Sequence, residues 1–439
     1  MELIYHYLWK NRLFGLRPSL DSGERLDILD PGLSNSDAGP DFFNSKIRIG
    51  GTEWIGNVEI HTRASDWYRH GHDSDPLYDS VILHVVGDPD RKVMRTDGSE
   101  IPQMSIPLPK DFVMTYSELK AGLGTLRCAS RLGSLSRLHL SDCLDSLGIE
   151  RLQTKAARIL SLLDKNGGDW NAAAFATLAR GLGFGLNSEP FEMLARSVPL
   201  KYLLRHSDQP FQLEALLFGQ AGLIPAPEYC DAYAEKLKAE YQFLSRKYNL
   251  SPIAPNVWRF ARTRPQNMPH RRVAFLVRAL CGAFPLPGLL KSNAGSPDSL
   301  REVFGSWRLE GYWADHYSFG VPAPSRSVSL SKASVDLLMI NVAAPYVYAS
   351  ATRTSDPELS EKAVDILLSL APEKNSIITG WQRCGITPLN AFESQALIHI
   401  RREYCDRSRC LRCRLGTTLL RRQVRPPKGF ATSPPLSAH

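Results

Sequence analysis

The hydrophobic period of this chain changes once, near residue 110, and that change restricts the fold more than any other feature. Before it, apolar residues recur mostly at every second position; after it they follow the i, i+3, i+4, i+7 spacing of helices. Such a pattern predicts an α+β protein, with a small sheet-bearing module followed by a large, mostly helical region. The opening stretch, 3–14, departs from the strand pattern, because Leu3, Ile4, Tyr7, Leu8 and Phe14 sit at helical spacing. Strands are expected at 25–29, 43–49 and 54–62, the last two joined across Gly50 and Gly51 as a hairpin. Residues 64–78 are polar and read as a loop with one helical turn. Residues 80–86 (SVILHVV) form an apolar, β-branched run suited to a strand buried on both faces. A further hairpin is expected in 93–106 around Asp97 and Gly98. The order is therefore helix, three strands, crossover, buried strand.

Helices are expected at 141–163, 170–182, 211–221, 229–248, 271–281, 331–349, 358–370 and 390–404, with proline-rich punctuation between them. The organisation read from this is a module at 1–110, a helical region at 111–385, a helix with a Cys-rich basic segment at 386–425, and a Pro, Ser and Ala tail at 426–439 with too little to bury for order. A chain of 439 residues has room for two or three domains. With 43% hydrophobic and 22% charged residues, fibrous and wholly disordered classes are excluded. No stretch supplies the eighteen or so apolar residues of a membrane helix, and the first residues lack the pattern of a secretion signal. A soluble, cytoplasmic protein is expected, with no membrane association; the pattern sets no oligomeric state.

Imidazoles and carboxylates concentrate where the mass is smallest. Of eleven histidines, His61, His70, His72 and His84 fall within 24 residues, with His6 nearby, and Asp41, Glu59, Asp66, Asp75 and Asp79 accompany them. These are the residue types that hold divalent metals and move protons. Pro40-Asp41 opens one strand of the hairpin, and Glu59-Ile60-His61 lies on the return strand, with Glu59 and His61 on one face. Two such carboxylates beside a basic group can hold Mg²⁺ or Mn²⁺ and place a water next to it.

A two-residue turn at Gly50-Gly51 pairs residues whose numbers sum to 101, which puts Asp41 opposite Ile60 and away from Glu59. The site therefore requires a register break, and adjacent Phe42 and Phe43 mark where the alternation fails.

The pattern PD…ExH, with its element order, resembles the PD-(D/E)XK nuclease core. The resemblance implies Asp41, Glu59 and the Ile60 carbonyl as metal ligands, with His61 where that family usually has Lys, orienting or deprotonating the attacking water. Asp66, His70, His72 and Asp75 are candidates to close over the metal or contact a phosphate; a solvated loop is the competing reading. His84 interrupts a buried run and so needs a partner, of the site or of the core. Trp67 reads as packing.

Longer runs identify relatives. Asn35, DAGPDF (37–42), GNVEIH (56–61), SDWYRHGH (65–72), Asp75, Tyr78, VILHVV (81–86), EALLFGQAG (214–222), SQALI (394–398), EYC and CLRCRLG (410–416) resemble a bacterial family known only as domain of unknown function 2851. That resemblance runs along the whole chain and implies no activity.

Between 401 and 428, ten basic residues stand against Glu403 and Asp406, which accounts for the whole formal charge of +8. Arg401, Arg402, Arg407, Arg409, Arg412 and Arg414 are candidate contacts for a phosphate backbone, unless the segment is simply a solvated basic tail. Cys405, Cys410 and Cys413 crowd into the same segment. Buried thiolates at short spacing favour Zn²⁺ or an iron-sulfur cluster over free thiols or redox pairing, with Cys384 the nearest candidate for a fourth ligand and Cys128 the next.

The expected function is a divalent-metal-dependent nuclease or phosphodiesterase, a hydrolase acting on DNA or RNA. The alternatives are a non-catalytic nucleic-acid-binding or scaffold protein on the same fold, and a His/Asp metal hydrolase of small substrates.

Overall fold

The computed structural model describes residues 2–14, 18–35, 38–108, 110–121, 126–226, 231–261, 263–282, 284–323 and 328–421. The tail at 426–439 and basic residues Arg422, Arg425 and Lys428 lie outside these. The architecture is mixed α+β, a small sheet followed in sequence by a large helical region. The chain divides into two compact units, one comprising Met1–Cys143 with Ile400–His439 and the other Leu144–His399.

In the first unit the order is α1 (Glu2–Lys10), β1 (Leu26–Asp30), β2 (Leu33–Ser34), β3 (Phe42–Ile49), β4 (Thr52–Arg63), α2 (Asp66–Arg69), β5 (Val81–Asp88), β6 (Gln103–Ser105) and α3 (Lys110–Ala121). The strands form one sheet in the order β1-β3-β4-β5-β6, with β2 also on β3. β3 and β4 are antiparallel; β4, β5 and β6 run parallel. The hairpin expected in 93–106 is reduced to a single bridge, Met94 with Glu100, because the chain from Gln103 turns instead to extend the sheet beside β5.

Alternation along β4 sends Val58 and Ile60 to one face of the sheet. There they pack with Ile4, Leu8 and Trp9 of α1, Phe42, Ile47, Leu83, Val85 and Met104. Apolar surface removed from water is worth about 25 cal/mol per Å², so burial of this cluster stabilises the unit. The opposite face carries Glu59 and His61, flanked by a smaller cluster of Ala64, Trp67, Val81, Val86, Val93 and Ile101. A helix at Arg414–Arg421 returns to this unit: Leu420 is buried in the same core as Leu8, and the Tyr7 hydroxyl donates to the Thr417 carbonyl at 3.4 Å.

The second unit is helical. Trp170–Leu182 begins where Asp169 accepts from the Asn171 and Ala172 amides, an N-cap that satisfies otherwise orphaned donors. The stretch expected as one helix at 331–349 is interrupted. Lys332–Leu338 passes through a wide turn at Met339–Ala343 into Ala344–Thr354, where Pro345 falls in the first turn and needs no amide partner. A second wide turn, Ile400–Cys405, follows Ala391–His399 where the chain passes from one unit to the other. Among the described residues no single helix is long and apolar enough to cross a membrane.

Candidate metal and imidazole site on the sheet

Two bulges build the site. From Ile49↔Thr52 to Ser45↔Gly56 the hairpin keeps the register of its two-glycine turn, but beyond it Phe42 pairs with Val58. One extra residue on β3 is absorbed at Phe43-Asn44, with Asn44 in the left-handed region at φ 55°, a conformation asparagine tolerates better than most. The break brings Asp41 opposite Glu59. The Asp41 amide donates to Glu59 Oε2 at 3.0 Å, and the Ile60 amide donates to Asp41 Oδ2 at 3.0 Å.

The second irregularity lies on β5, where Asn57 pairs with Val81 but Val58 with Leu83. Gly56 permits it, since a Cβ there would stand 2.4 Å from the Ile82 side chain and 2.9 Å from the Ser80 carbonyl oxygen. With that residue absorbed, Glu59 pairs with His84 and His84 with Gln103. Asp41, Glu59, His84 and Gln103 thus form a polar row across four neighbouring chain segments.

A line of hydrogen bonds ends in this row. The Gln103 amide nitrogen donates to Asp21 at 3.1 Å, which turns its oxygen toward His84 Nδ1 at 3.2 Å. His84 Nδ1 therefore carries the proton and its Nε2 accepts, so the bond of 2.9 Å to His61 is donated by His61 Nδ1. The His61 Nε2 lone pair is left facing His70 Nδ1 at 3.1 Å. Burial, then neighbouring imidazoles, pushes His61 down to about 2, and burial pushes His84 down to about 4, so both are neutral at pH 7.

His61 Nε2 also lies 3.6 Å from Glu59 Oε1, and His72 Nε2 lies 3.4 Å from the same oxygen. One ring nitrogen from each of His61, His70 and His72 falls within 4.8 Å of the others. A first-row ion with bonds of about 2.1 Å holds adjacent donors about 3 to 3.5 Å apart. These donors are close to that, and neutral imidazole with carboxylate suits Mn²⁺, Fe²⁺ or Zn²⁺ better than Mg²⁺.

A second group, Glu2, His6 and Asp41, meets the same spacing, with His6 Nε2 3.2 Å from Asp41 Oδ2. Burial works to lower the His6 pKa, but Asp41, Glu2 and Glu59 outweigh it and the net shift is upward. Burial and then the Asp41 charge push the Glu59 carboxyl up, against the opposing hydrogen bond from His72.

His84 and His61 are buried and His70 is exposed, so the line leads from the sheet to solvent. Asp66 and Asp75 instead shape the loop: Asp66 accepts from the Arg63 amide and pairs with Arg69, and Asp75 accepts from the Leu77 amide. Trp67 is fully buried, its ring edge-on to His72 and His84.

Tyr78 stacks on His72 at 3.7 Å, and burial followed by Glu59 and Asp41 pushes its hydroxyl up to about 12. Tyr78, Glu2 and Gln103 stand at the site although no sequence motif singles them out as ligands, whereas His6 is counted with the histidine cluster in sequence. Tyr78 lies among the residues that carry the family resemblance, and Gln103 becomes apparent only through the parallel pairing of β6.

In the basic segment, Arg401 pairs with Asp406 at 2.7 Å and Arg407 with Glu403 at 3.0 Å, while Arg402, Arg409, Arg412 and Arg414 are exposed. Cys405, Cys410 and Cys413 line one cavity with Cys128, whereas Cys384 belongs to the second unit.

A mixed sheet bearing a polar row of acids and imidazoles on one face thus defines the first unit. The chain belongs to the family described as "Protein of unknown function (DUF2851)", whose pattern it matches over residues 2–376. No curated protein and no solved structure matches it.

Proposed function

We propose that the protein is a divalent-metal-dependent phosphodiesterase acting on nucleic acid, with Glu59, His61, His70 and His72 as metal donors and Asp41 beside them. The supporting observation is the direct opposition of Asp41 and Glu59 across the β3/β4 bulge, with three imidazole nitrogens gathered at the Glu59 carboxylate. The order of helix, hairpin, crossover and parallel strand around these residues supports the nuclease-like reading, and the exposed arginines of 402–414 suit a phosphate backbone. In an extended strand the amide and carbonyl of one residue point to the same neighbour, so the Ile60 carbonyl faces Asp41 and is available as a further oxygen donor.

When bound, the metal supplies a water of lowered pKa and a Lewis acid for the phosphoryl oxygen. The chain contributes orientation. Gln103 fixes the tautomers of His84 and His61, so the His61 lone pair points to the donors. His61 is neutral and engaged at both nitrogens, so it fits the role of ligand better than the lysine-like role implied by the nuclease pattern.

The test is cleavage of single- and double-stranded DNA and RNA by the full chain with Mn²⁺, and its loss with chelator and in Glu59→Gln. The second reading, non-catalytic nucleic-acid binding, is favoured by the absence of a lysine beside Glu59; it predicts salt-dependent binding that survives Glu59→Gln without cleavage.

A further inference from the structure

A second set of metal-binding side chains lies in the same unit, apart from the histidines. Cys128, Cys405, Cys410 and Cys413 line a single small cavity with Arg127, Tyr404 and Gly416. The four thiols come from distant parts of the chain, one before α4 (Arg137–Lys165) and three around the wide turn Ile400–Cys405 and the start of the helix Arg414–Arg421. We propose that these four cysteines ligate an iron-sulfur cluster that fastens the C-terminal segment to the first unit.

Local construction supports a ligand site rather than a chance cluster. Gly416 allows the Cys410 loop to close on the helix, because a Cβ there would stand 2.3 Å from the Cys410 carbonyl oxygen, a backbone atom that cannot swing away. The Leu415 and Gly416 amides both donate toward the Cys413 sulfur, and Arg127 stands beside Cys410. These groups stabilise thiolate.

Spacing selects the occupant. Tetrahedral zinc, with Zn–S bonds of about 2.3 Å, draws its sulfurs to about 3.8 Å apart. Among the described residues, donor groups with all separations within 4.8 Å are the histidine and acid sets above, and no three of these sulfurs form one. That is not the spacing tetrahedral zinc takes up, and a set of four cysteine thiolates also holds clusters of several irons.

The experiment uses the full chain, purified and then reconstituted under nitrogen with ferrous iron, sulfide and thiol reductant. The expected result is iron and acid-labile sulfide in equal amounts with visible charge-transfer absorption. Cys128→Ser should lose most of that absorption while its circular dichroism shows a folded chain, and Cys384→Ser should retain it. If Cys128→Ser does not fold, Cys410→Ser takes its place. Zinc as the sole bound metal, absorption that persists in both ligand variants, or four freely alkylated thiols after reconstitution would overturn the assignment.

Discussion

Asp41 and Glu59 hold each other across the β3/β4 hairpin: the Asp41 amide donates to the Glu59 carboxylate, and the Asp41 carboxylate accepts from the Ile60 amide, each at 3.0 Å. Backbone donors thus fix one oxygen of each acid; Glu59 Oε1 is left facing His61 and His72, while His6 shares the fixed Oδ2 of Asp41. The arrangement costs free energy, since burial and the Asp41 charge both disfavour ionised Glu59. A bound cation would reverse that cost, which is the physical reason to expect one.

The bulge is the first point of attack. Asn44→Val places a β-branched side chain at φ 55°, for about 1 to 2 kcal/mol of strain. Strain relief by slipping the register would carry Asp41 away from Glu59. Thermal unfolding should show the lost stability, and Mn²⁺ affinity should fall more than tenfold, whereas Asn44→Gly should keep near-parental affinity. Equal affinity in Asn44→Val and the parent would disconnect the bulge from the site.

Gln103 touches none of the proposed donors, yet it sets the tautomers of the line. Gln103→Leu leaves the His84 proton without its acceptor, at a cost of about 1 to 3 kcal/mol. Direct outer partners of ligating histidines are typically worth 10- to 100-fold in metal affinity; Gln103 acts one bond further out, through His84, so calorimetric Mn²⁺ titration of this variant should show a loss near the lower end of that range. A loss of stability with unchanged affinity would mean that Gln103 only packs.

How much of this was legible in sequence differs by element. The hairpin, its two-glycine turn and the place of the register break were all visible, because Gly50-Gly51 fixes a pairing that the adjacent Phe42 and Phe43 then violate. His84 announced itself as a polar residue in a buried run, and its partners are His61 and Gln103. The helix expected at 170–182 is found at Trp170–Leu182, with Asp169 as its cap.

Long-range closure was hidden. Nothing local joins Cys128 to Cys413, or β6 to β5, because pairings between segments far apart in sequence leave no periodic trace. Helices such as Ser188–Ser197 and Pro297–Gly305 escaped notice because they are short and flanked by polar turns.

The helical unit allows a pH prediction independent of the metal. Burial raises the Glu214 carboxyl to about 7, against its hydrogen bonds with Tyr233 and Trp313. Its folded pKa exceeds the unfolded value, so the folded state binds the proton more tightly. This contribution is full below about pH 4.5 and is lost as pH rises through 7, by up to about 3 kcal/mol. Urea midpoints should therefore fall between pH 5 and pH 8 in the parent, and the fall should be smaller in Glu214→Gln. The same pH slope in both would remove Glu214 as its cause.

The most direct test of the account is titration of the chelator-treated protein with Mn²⁺, followed by paramagnetic resonance of free and bound ion. The account predicts one saturable site per chain near the histidines, weakened at least tenfold by Glu59→Gln and again by His72→Ala. Binding of equal strength in the parent and both variants, or no binding by a folded parent, would contradict it.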